Sequence, residues 1–277
     1  MTTGVTERRD QVAGHEVFLR EAQPAEGQLP TLYLHGVPTD GADWIPFLEK
    51  AGGVAPDLLG FGQSEKPRWF EYSIGAYNGW LQALVDKLGW DRFNIVVHDW
   101  GGLGLVTAQD LHERIGRVVI MNAVPLLPDY RWHRIARVWR TPVIGEVAMG
   151  LTTKSFFRAY TKPAQASGEP WPQDMLDHAW SHFDQGTQRA ILKLYRSAPP
   201  AILEQAGERF SELTAETLVL WGEQDPYIPT SFAQAYADAL PNSTVELLPD
   251  AGHWSWLDRP DVVDIATGFL SGAAASR

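Results

Sequence analysis

VVHDWGG, residues 96–102, is an apolar run that passes through His, Asp and Trp into two glycines. The valines favour a buried strand, and the glycine pair favours a sharp turn. The stretch therefore predicts a strand that turns abruptly into a helix beginning near Gly101. Such a turn holds one residue in a strained backbone conformation and lifts its side chain above the sheet. Here the lifted residue is Asp99.

Short apolar runs bounded by turn residues recur along the chain. They cover residues 31–36, 53–60, 94–99, 117–123, 217–223 and 244–252. Helix-like segments follow most of them, at residues 74–88, 102–112, 232–240 and 261–270. Strands that alternate with helices predict an α/β fold, with a mostly parallel central sheet covered by helices on both faces.

The alternation breaks between about residues 124 and 213. This region is helix-like and rich in Trp, Arg and Pro, and it has no clear strand run. We interpret it as a helical cap inserted into one α/β domain, with a core at 1–124, a cap at 125–213 and the rest of the core at 214–277. The return of the strand pattern at Thr217 favours an insertion over a second domain.

Composition limits the function classes. The chain has 277 residues, a net charge of −11 and no cysteine. The acidic charge disfavours binding to nucleic acid or anionic lipid, and the lack of cysteine excludes disulfides and thiolate chemistry. The polar N-terminus does not resemble a signal peptide, and no apolar run is long enough to span a bilayer. We expect a cytoplasmic protein without nucleic-acid or membrane partners, and its oligomeric state stays open.

Two further motifs supply partners for Asp99. WGEQDPYIP places Asp225 just after a predicted strand, and PDAGHWSW places His253 in the loop after the last one. The chain order nucleophile, acid, base suits a relay in which the acid orients the histidine and the histidine activates water. The backbone N–H groups of Val37, in HGVP, and of Trp100 are candidate oxyanion donors.

Five motifs carry a resemblance to a known family. They are HGVP at 35–38, APDLLGFGQSEKP at 55–67, VVHDWGG at 96–102, LVLWGEQDPYIP at 218–229 and PDAGHWSWLDRP at 249–260. Together they resemble the α/β-hydrolases of the epoxide hydrolase and haloalkane dehalogenase group, from about residue 31 to residue 270. The resemblance implies the α/β-hydrolase fold and an aspartate nucleophile. Some relatives carry the acid after the 117–123 strand, where this chain has Asn122 and then Asp129, so Asp225 is preferred.

The aspartate has a chemical reason of its own. A serine that attacked a saturated carbon, in an epoxide or an alkyl halide, would leave an ether that water does not readily cleave. A carboxylate leaves an ester, which activated water hydrolyses at its acyl carbon. Asp99 therefore argues against an ordinary esterase. The reaction needs no cofactor, and the sequence shows no metal-binding cluster.

An epoxide, unlike a halide, needs a proton donor for its leaving oxygen. In the resemblance, cap tyrosines have this role, and LKLYRSAPP indicates Tyr195. The place of the second tyrosine is taken by Phe156, with Tyr160 one helical turn later as the alternative. We count Phe156, Tyr160 and His98 as candidate substrate contacts.

Dehalogenases of the group hold halide with the tryptophan after the nucleophile, here Trp100, and a second donor. Val37 stands where that donor would be an Asn. The other option is a cap tryptophan, for which the candidates are Trp132, Trp139, Trp171 and Trp180. His98 is more typical of epoxide hydrolases. We therefore favour an epoxide hydrolase acting on a small apolar epoxide, with a haloalkane dehalogenase or a non-catalytic small-molecule receptor as alternatives.

Overall fold

The computed structural model describes residues 4–272. Within them the strands are β1 (Thr6–Val12), β2 (His15–Ala22), β3 (Thr31–Leu34), β4 (Gly53–Pro56), β5 (Phe93–Asp99), β6 (Ile115–Ala123), β7 (Glu216–Gly222) and β8 (Ser243–Leu248). They form one sheet in the order β1-β2-β4-β3-β5-β6-β7-β8. The β1–β2 and β2–β4 pairs are antiparallel, and the other pairs are parallel.

Helices connect the strands and cover the sheet. They are α1 (Ile45–Ala51), α2 (Ile74–Leu88), α3 (Gly104–Asp110), α4 (Arg134–Arg140), α5 (Ile144–Gly150), α6 (Lys154–Thr161), α7 (Gln173–His182), α8 (Gln185–Ser197), α9 (Pro200–Ala206), α10 (Ser231–Ala239), α11 (Ser255–Asp258) and α12 (Asp261–Ser271). None of the helices in residues 4–272 is long and apolar enough to cross a membrane.

The predicted α/β fold with a mostly parallel sheet is confirmed. The six predicted strands correspond to β3–β8, and the four predicted helices correspond to α2, α3, α10 and α12. The hairpin of β1 and β2 was not predicted from the sequence. Its first strand, TERRDQV, is largely charged and lies at the exposed sheet edge, so it lacks the apolar run by which the other strands were found.

The order of the strands fixes where a site can form. All seven residues of β5 are buried, as expected for a parallel strand in the middle of a covered sheet. From β3 the chain moves to β4 on one side and later returns to β5 on the other. Loops leaving β3 and β5 therefore diverge, and a crevice opens at their carboxyl ends. The loop at 35–38 and Asp99 lie at this point.

Between β6 and β7 the chain forms α4 to α9 and no strand. We call residues 134–206 the helical segment. It contacts the sheet domain through polar links: the Thr187 hydroxyl donates to the Gly60 carbonyl at 3.0 Å, and Lys66 pairs with Asp184 at 2.8 Å. Within the helical segment, side chains of α8 that include Leu194 and Tyr195 are buried.

Candidate active site

Asp99 ends β5 in a strained turn. Its φ of 48° and ψ of −123° are unusual for a residue with a side chain. Glycines make room for this turn: a Cβ on Gly101 would lie 2.0 Å from the carbonyl oxygen of Leu34, and a Cβ on Gly36 would lie 2.3 Å from the Cβ of Asp99. The sequence therefore places glycine where three chain segments converge beneath the aspartate.

The structure brings Asp99, His253 and Asp225 together. His253 Nε2 lies 3.5 Å from Asp99 Oδ2, and His253 Nδ1 lies 2.7 Å from Asp225 Oδ2. The other oxygen of Asp225 accepts hydrogen bonds from the N–H groups of Tyr227, at 2.7 Å, and Ile228, at 3.1 Å. Asp225 thus orients the imidazole of His253, and Nε2 of this imidazole faces Asp99.

Asn122, which stands at the rival acid position, supports Asp225. Its side-chain amide donates to Asp225 Oδ2 at 2.8 Å, and its carbonyl oxygen accepts from the Gly222 N–H at 2.8 Å. Asp129 is exposed instead. Sequence reasoning considered Asn122 only as an unsuitable acid and missed this supporting contact, because the contact joins the ends of two strands far apart in the chain.

Charges in the site are strongly coupled. Burial alone would lower the pKa of His253, but the nearby carboxylates of Asp225 and Asp99 outweigh it and raise the pKa of His253 to about 10. Burial opposes ionisation of Asp99, yet the hydrogen bond from His253 and its positive charge hold the pKa of Asp99 below its ordinary value. The resting site is therefore an imidazolium between two carboxylates at neutral pH.

The HGVP loop contacts the aspartate directly. The Val37 N–H donates to Asp99 Oδ1 at 2.7 Å, and the Val37–Pro38 peptide bond is cis. Trp100 follows Asp99 immediately and begins the short helical turn after β5. The Val37 N–H therefore lies where a donor would be needed to stabilise an oxyanion formed from an ester of Asp99.

His98 lies beneath this site. It is fully buried, and its Nε2–H donates to the His253 carbonyl at 3.0 Å. Burial, with the adjacent His253 charge, lowers the pKa of His98 to about 3. His98 does not line the cavity above Asp99. Its position supports the backbone of His253 and does not match the substrate contact expected from the sequence.

The cavity above Asp99 is small. Its volume is about 10 Å³, which leaves room for about one water molecule. Besides Asp99 and His253, its walls include four tyrosines, Tyr130, Tyr160, Tyr195 and Tyr227. Asp99, His253 and several phenol groups therefore share one narrow space.

The comparisons with known proteins agree with this geometry. A protein family described as the alpha/beta hydrolase family matches residues 32–265. The chain belongs to the alpha/beta hydrolase family. Its curated relatives include proteins named as a haloalkane dehalogenase and as an epoxide hydrolase.

Two curated relatives represent the two activities. Haloalkane dehalogenase 2 of Mycobacterium tuberculosis is 27% identical over 248 residues, which cover 86% of each chain. Epoxide hydrolase 1 of Caenorhabditis elegans is 25% identical over 255 residues, covering 84% of this hydrolase and 62% of the longer relative. Neither identity separates the two activities.

Solved structures show the same fold. The epoxide hydrolase CorEH superposes with a TM-score of 0.83 at 20% identity, covering 98% of this hydrolase and 100% of CorEH. The haloalkane dehalogenase DbeA from Bradyrhizobium elkani also gives 0.83, at 23% identity, covering 99% and 100%. Proteins of both activities have this fold, so the fold does not identify the leaving group. Its identity has to be inferred from the side chains around the cavity.

Two tyrosines of the hydrolase's helical segment face that cavity. Tyr195 is buried, with its ring at right angles to that of Trp100 and 5.0 Å away. Burial and the Asp99 charge place the pKa of Tyr195 well above its ordinary value, and burial has the same effect on the pKa of Tyr160. Both phenols therefore stay protonated and available as donors.

Phe156 lies elsewhere. It is 60% exposed and lines a second, mostly apolar cavity of about 370 Å³ within the helical segment. Tyr160 lines this outer cavity as well as the small one above Asp99. The Tyr160 side chain consequently stands between the two spaces, and Phe156 lies on the far side from the nucleophile.

His133 is a cavity residue that the sequence analysis missed. It caps the N-terminus of α4, where its Nδ1 accepts a hydrogen bond from the Ala136 N–H at 3.4 Å. Burial lowers the pKa of His133 to about 4, so the ring is neutral at pH 7. Because Nδ1 is the acceptor, the proton is on Nε2. His133 is therefore a hydrogen-bond donor in the cavity in addition to the phenols. No sequence motif marks this residue.

The four candidate tryptophans of residues 125–213 differ in position. Trp132 lines the cavity and stacks on Trp100, but its indole N–H donates to the Ala198 carbonyl at 3.0 Å. Trp139 lines the outer cavity, and neither Trp171 nor Trp180 lines the cavity above Asp99. The Trp100 indole N–H is buried and has no hydrogen-bond partner within residues 4–272.

Proposed function

We propose that the protein is an epoxide hydrolase that converts an epoxide and water into a vicinal diol through an ester on Asp99. The observation that carries the proposal is the buried, protonated Tyr195 in the same cavity as the Asp99 carboxylate. Opening an epoxide places negative charge on the ring oxygen, and a phenol beside the nucleophile can protonate it. A halide would need no such proton.

The first step forms the ester. The Asp99 carboxylate attacks the less hindered epoxide carbon, a C–O bond of the ring breaks, and Tyr195 gives its proton to the released oxygen. Tyr160 and the Nε2–H of His133 supply further hydrogen bonds at this oxygen. The product of the step is a hydroxyalkyl ester of Asp99, which carries no charge.

The second step hydrolyses the ester. With the Asp99 charge gone, the His253 imidazolium returns a proton to the Tyr195 phenolate left by the first step. The neutral imidazole then acts as the base that takes a proton from water, while Asp225 holds it in place. Water attacks the acyl carbon, and the resulting oxyanion is stabilised by the N–H groups of Val37 and Trp100. The ester C–O bond then breaks at the acyl carbon, and the His253 imidazolium gives its proton to the leaving oxygen, so the diol departs. The new Asp99 carboxylic acid passes its proton to His253, which restores the carboxylate and the imidazolium.

We also propose that residues 125–213 act as a cap over the core formed by residues 1–124 and 214–277. The support is that His133, Tyr160 and Tyr195 all come from this region and converge over Asp99. The catalytic carboxylates and His253 come from the core. In this arrangement the cap supplies the acid and the core supplies the nucleophile and base.

The alternative is haloalkane dehalogenase activity. It is favoured by the unpartnered indole N–H of Trp100, which suits a halide. Against it, the cap tryptophan that lines the cavity, Trp132, already donates to the Ala198 carbonyl. A halide would therefore lack the second indole donor.

Two substrates separate the activities. Styrene oxide and 1-bromobutane are each incubated with the enzyme, and diol and bromide are measured. We expect diol without bromide. Tyr195→Phe should lower diol formation about 100-fold, since it removes the proton donor. Tyr72→Phe is the matched control, because this buried phenol donates to the Pro67 carbonyl outside the cavity. Bromide release without diol would refute the proposal.

The covalent route has its own test. In one turnover in ¹⁸O-labelled water, the first diol should carry an Asp99 oxygen and therefore no label, whereas full labelling would exclude the ester. His253→Gln should retain the ester, seen as a mass increase of the intact protein. Binding of epoxides and halides without turnover of either would instead indicate a receptor.

A further inference from the structure

Three potential metal ligands meet on the other side of the HGVP loop. Asp40 lies three residues after Val37, and His178 and His182 lie one helical turn apart on α7. Asp40 Oδ2 is 2.9 Å from His178 Nε2 and 3.2 Å from His182 Nδ1. The three ligand atoms all lie within 4.8 Å of one another. The cluster joins the helical segment to the loop that carries the Val37 N–H.

These atoms have the chemistry and spacing of a zinc site. Two histidines four residues apart project from the same face of a helix. Zinc in proteins takes imidazole nitrogen and carboxylate oxygen at about 2.0–2.2 Å in a tetrahedron, which puts neighbouring ligand atoms roughly 3.3 Å apart. The observed separations from Asp40 therefore need only small outward shifts to accept an ion.

The carboxylate is fixed in the orientation that binding requires. Asp40 is 2% exposed, and its Oδ1 accepts from the Ala42 N–H at 2.9 Å. Arg20 lies 3.6 Å from the same oxygen and 2.5 Å from Asp57. Asp40, Asp57 and Glu7 thus share one guanidinium, so uncompensated negative charge remains to balance a cation. Oδ2 is the oxygen that faces both imidazoles.

Solvent can reach the cluster. Asp40 and His178 line a cavity of about 570 Å³ that also contacts Thr39 and Asp43. An ion could enter from this side, and water could complete a tetrahedron around it, as in sites with three protein ligands. The catalytic residues Asp99, Asp225 and His253 are not part of this cavity.

We propose that Asp40, His178 and His182 bind one divalent transition-metal ion, with zinc the best fit, at the junction of α7 and the HGVP loop. The ion takes no part in ester chemistry. The ion links the helical segment to Asp40, which lies three residues after Val37. It thereby stabilises the packing of the helical segment against the HGVP loop. The proposal does not depend on which substrate the enzyme hydrolyses.

The full chain without a histidine tag, stripped with a chelator, tests the proposal. Co²⁺ should give the visible absorption of four-coordinate cobalt with one ion per chain, and Zn²⁺ should displace it. Calorimetry should give one zinc site. At a hundredfold excess over the dissociation constant, zinc should raise the thermal midpoint by about 5 °C, because it binds only the folded chain.

Variants locate the ion. His178→Ala and His182→Ala should each weaken zinc binding more than about 100-fold, because even supporting contacts around a metal change affinity by 10–100-fold. His15→Ala, which removes a histidine paired with Glu65 on another face, is the matched control and should bind as wild type. Circular dichroism checks that each variant folds.

Two outcomes would overturn the proposal. One is the absence of cobalt bands together with no zinc binding below millimolar concentration in the folded wild-type chain. The other is binding that survives both α7 variants but is lost in His253→Gln, which would place the ion at Asp99. In either case Asp40, His178 and His182 form only a hydrogen-bonded link, and the diol assay is unaffected.

Discussion

Asp99→Asn should convert His253 from an acid into a base. In the resting site the imidazole is charged because Asp99 and Asp225 both lie close, and together they raise the pKa of His253 to about 10. Asparagine has nearly the shape of aspartate and, like the proposed ester, has no charge. The variant therefore reproduces the electrostatics of the intermediate without requiring a substrate.

The size of the effect follows from the separation. His253 Nε2 and Asp99 Oδ2 are 3.5 Å apart. With an effective dielectric constant of ~20, two unit charges at that distance attract by about 4.7 kcal/mol, or about 3.5 pK units. Removing the Asp99 charge should thus lower the pKa of His253 from about 10 to roughly 6.5. At neutral pH most of the histidine would then be free to accept a proton.

NMR of ¹⁵N-histidine-labelled protein across pH 5–11 measures this change, as a fall of ~3.5 units in the pKa of His253 between wild type and Asp99→Asn. His253→Gln assigns the signal. A fall of less than about one unit would refute the reasoning, because ester formation could then not release the base. In pre-steady-state kinetics, ester hydrolysis should rise with pH through about pH 6.5 while ester formation stays flat over that range.

Stability offers a second measurement of the same coupling. The folded-state pKa of His253, about 10, lies above the ordinary value of about 6.5. The ion pair therefore stabilises the fold fully below about pH 6.5, and this contribution is lost as the pH rises through 10. The difference in unfolding free energy between wild type and Asp99→Asn should shrink over that interval. A constant difference from pH 6 to pH 10 would contradict the assigned charges.

Three other substitutions test the cavity above Asp99 and the contacts around it. Tyr160→Ala should join the 10 Å³ and 370 Å³ cavities and raise kcat/KM for 1,2-epoxydecane relative to 1,2-epoxybutane; an unchanged ratio would show that Tyr160 does not divide them. His133→Asn keeps a side chain suited to cap α4 but removes the Nε2–H, so diol turnover should fall about tenfold with little change in thermal midpoint. A loss of stability equal to that of His133→Ala would mean that the cap was not preserved. Asn122→Ala removes the acceptor of the Gly222 N–H and one of the hydrogen-bond donors to Asp225, so urea unfolding should show a loss of about 1–3 kcal/mol, and a loss under 0.5 kcal/mol would count against the contact.

Sequence predicted the parts of this molecule that local patterns determine. Strands β3 to β8 contain apolar runs bounded by turn residues, and the glycines after Asp99 mark its turn. The residue placements expected for Asp99, Asp225 and His253 also follow from local features, because Asp99 ends a strand and the other two lie in the loops that follow strands. The proposed roles of these residues stay predictions until the experiments above are done.

The parts that sequence could not predict depend on contacts between distant segments. Asn122 was judged by its lack of charge, while its hydrogen bond to Asp225 requires knowing that the ends of β6 and β7 are adjacent. The donor role of His133 depends on which ring nitrogen caps α4. His178 and His182 show helical spacing, but only the folded chain brings Asp40 to them.

The small volume of the cavity above Asp99 implies that the two proposed chemical steps need different arrangements of the helical segment. A space of about 10 Å³ holds the water that hydrolyses an ester but no epoxide. Substrate entry therefore requires Tyr160 or its helix to move, and the outer apolar cavity is where a hydrocarbon tail would lie once it has done so. Since α7 and α6 belong to the same helical segment, a link between α7 and Asp40 would hold one part of that segment while Tyr160 moves. Loss of the Asp40 link should then change substrate binding more than ester hydrolysis, because the relay from Asp99 to Asp225 lies entirely in the core.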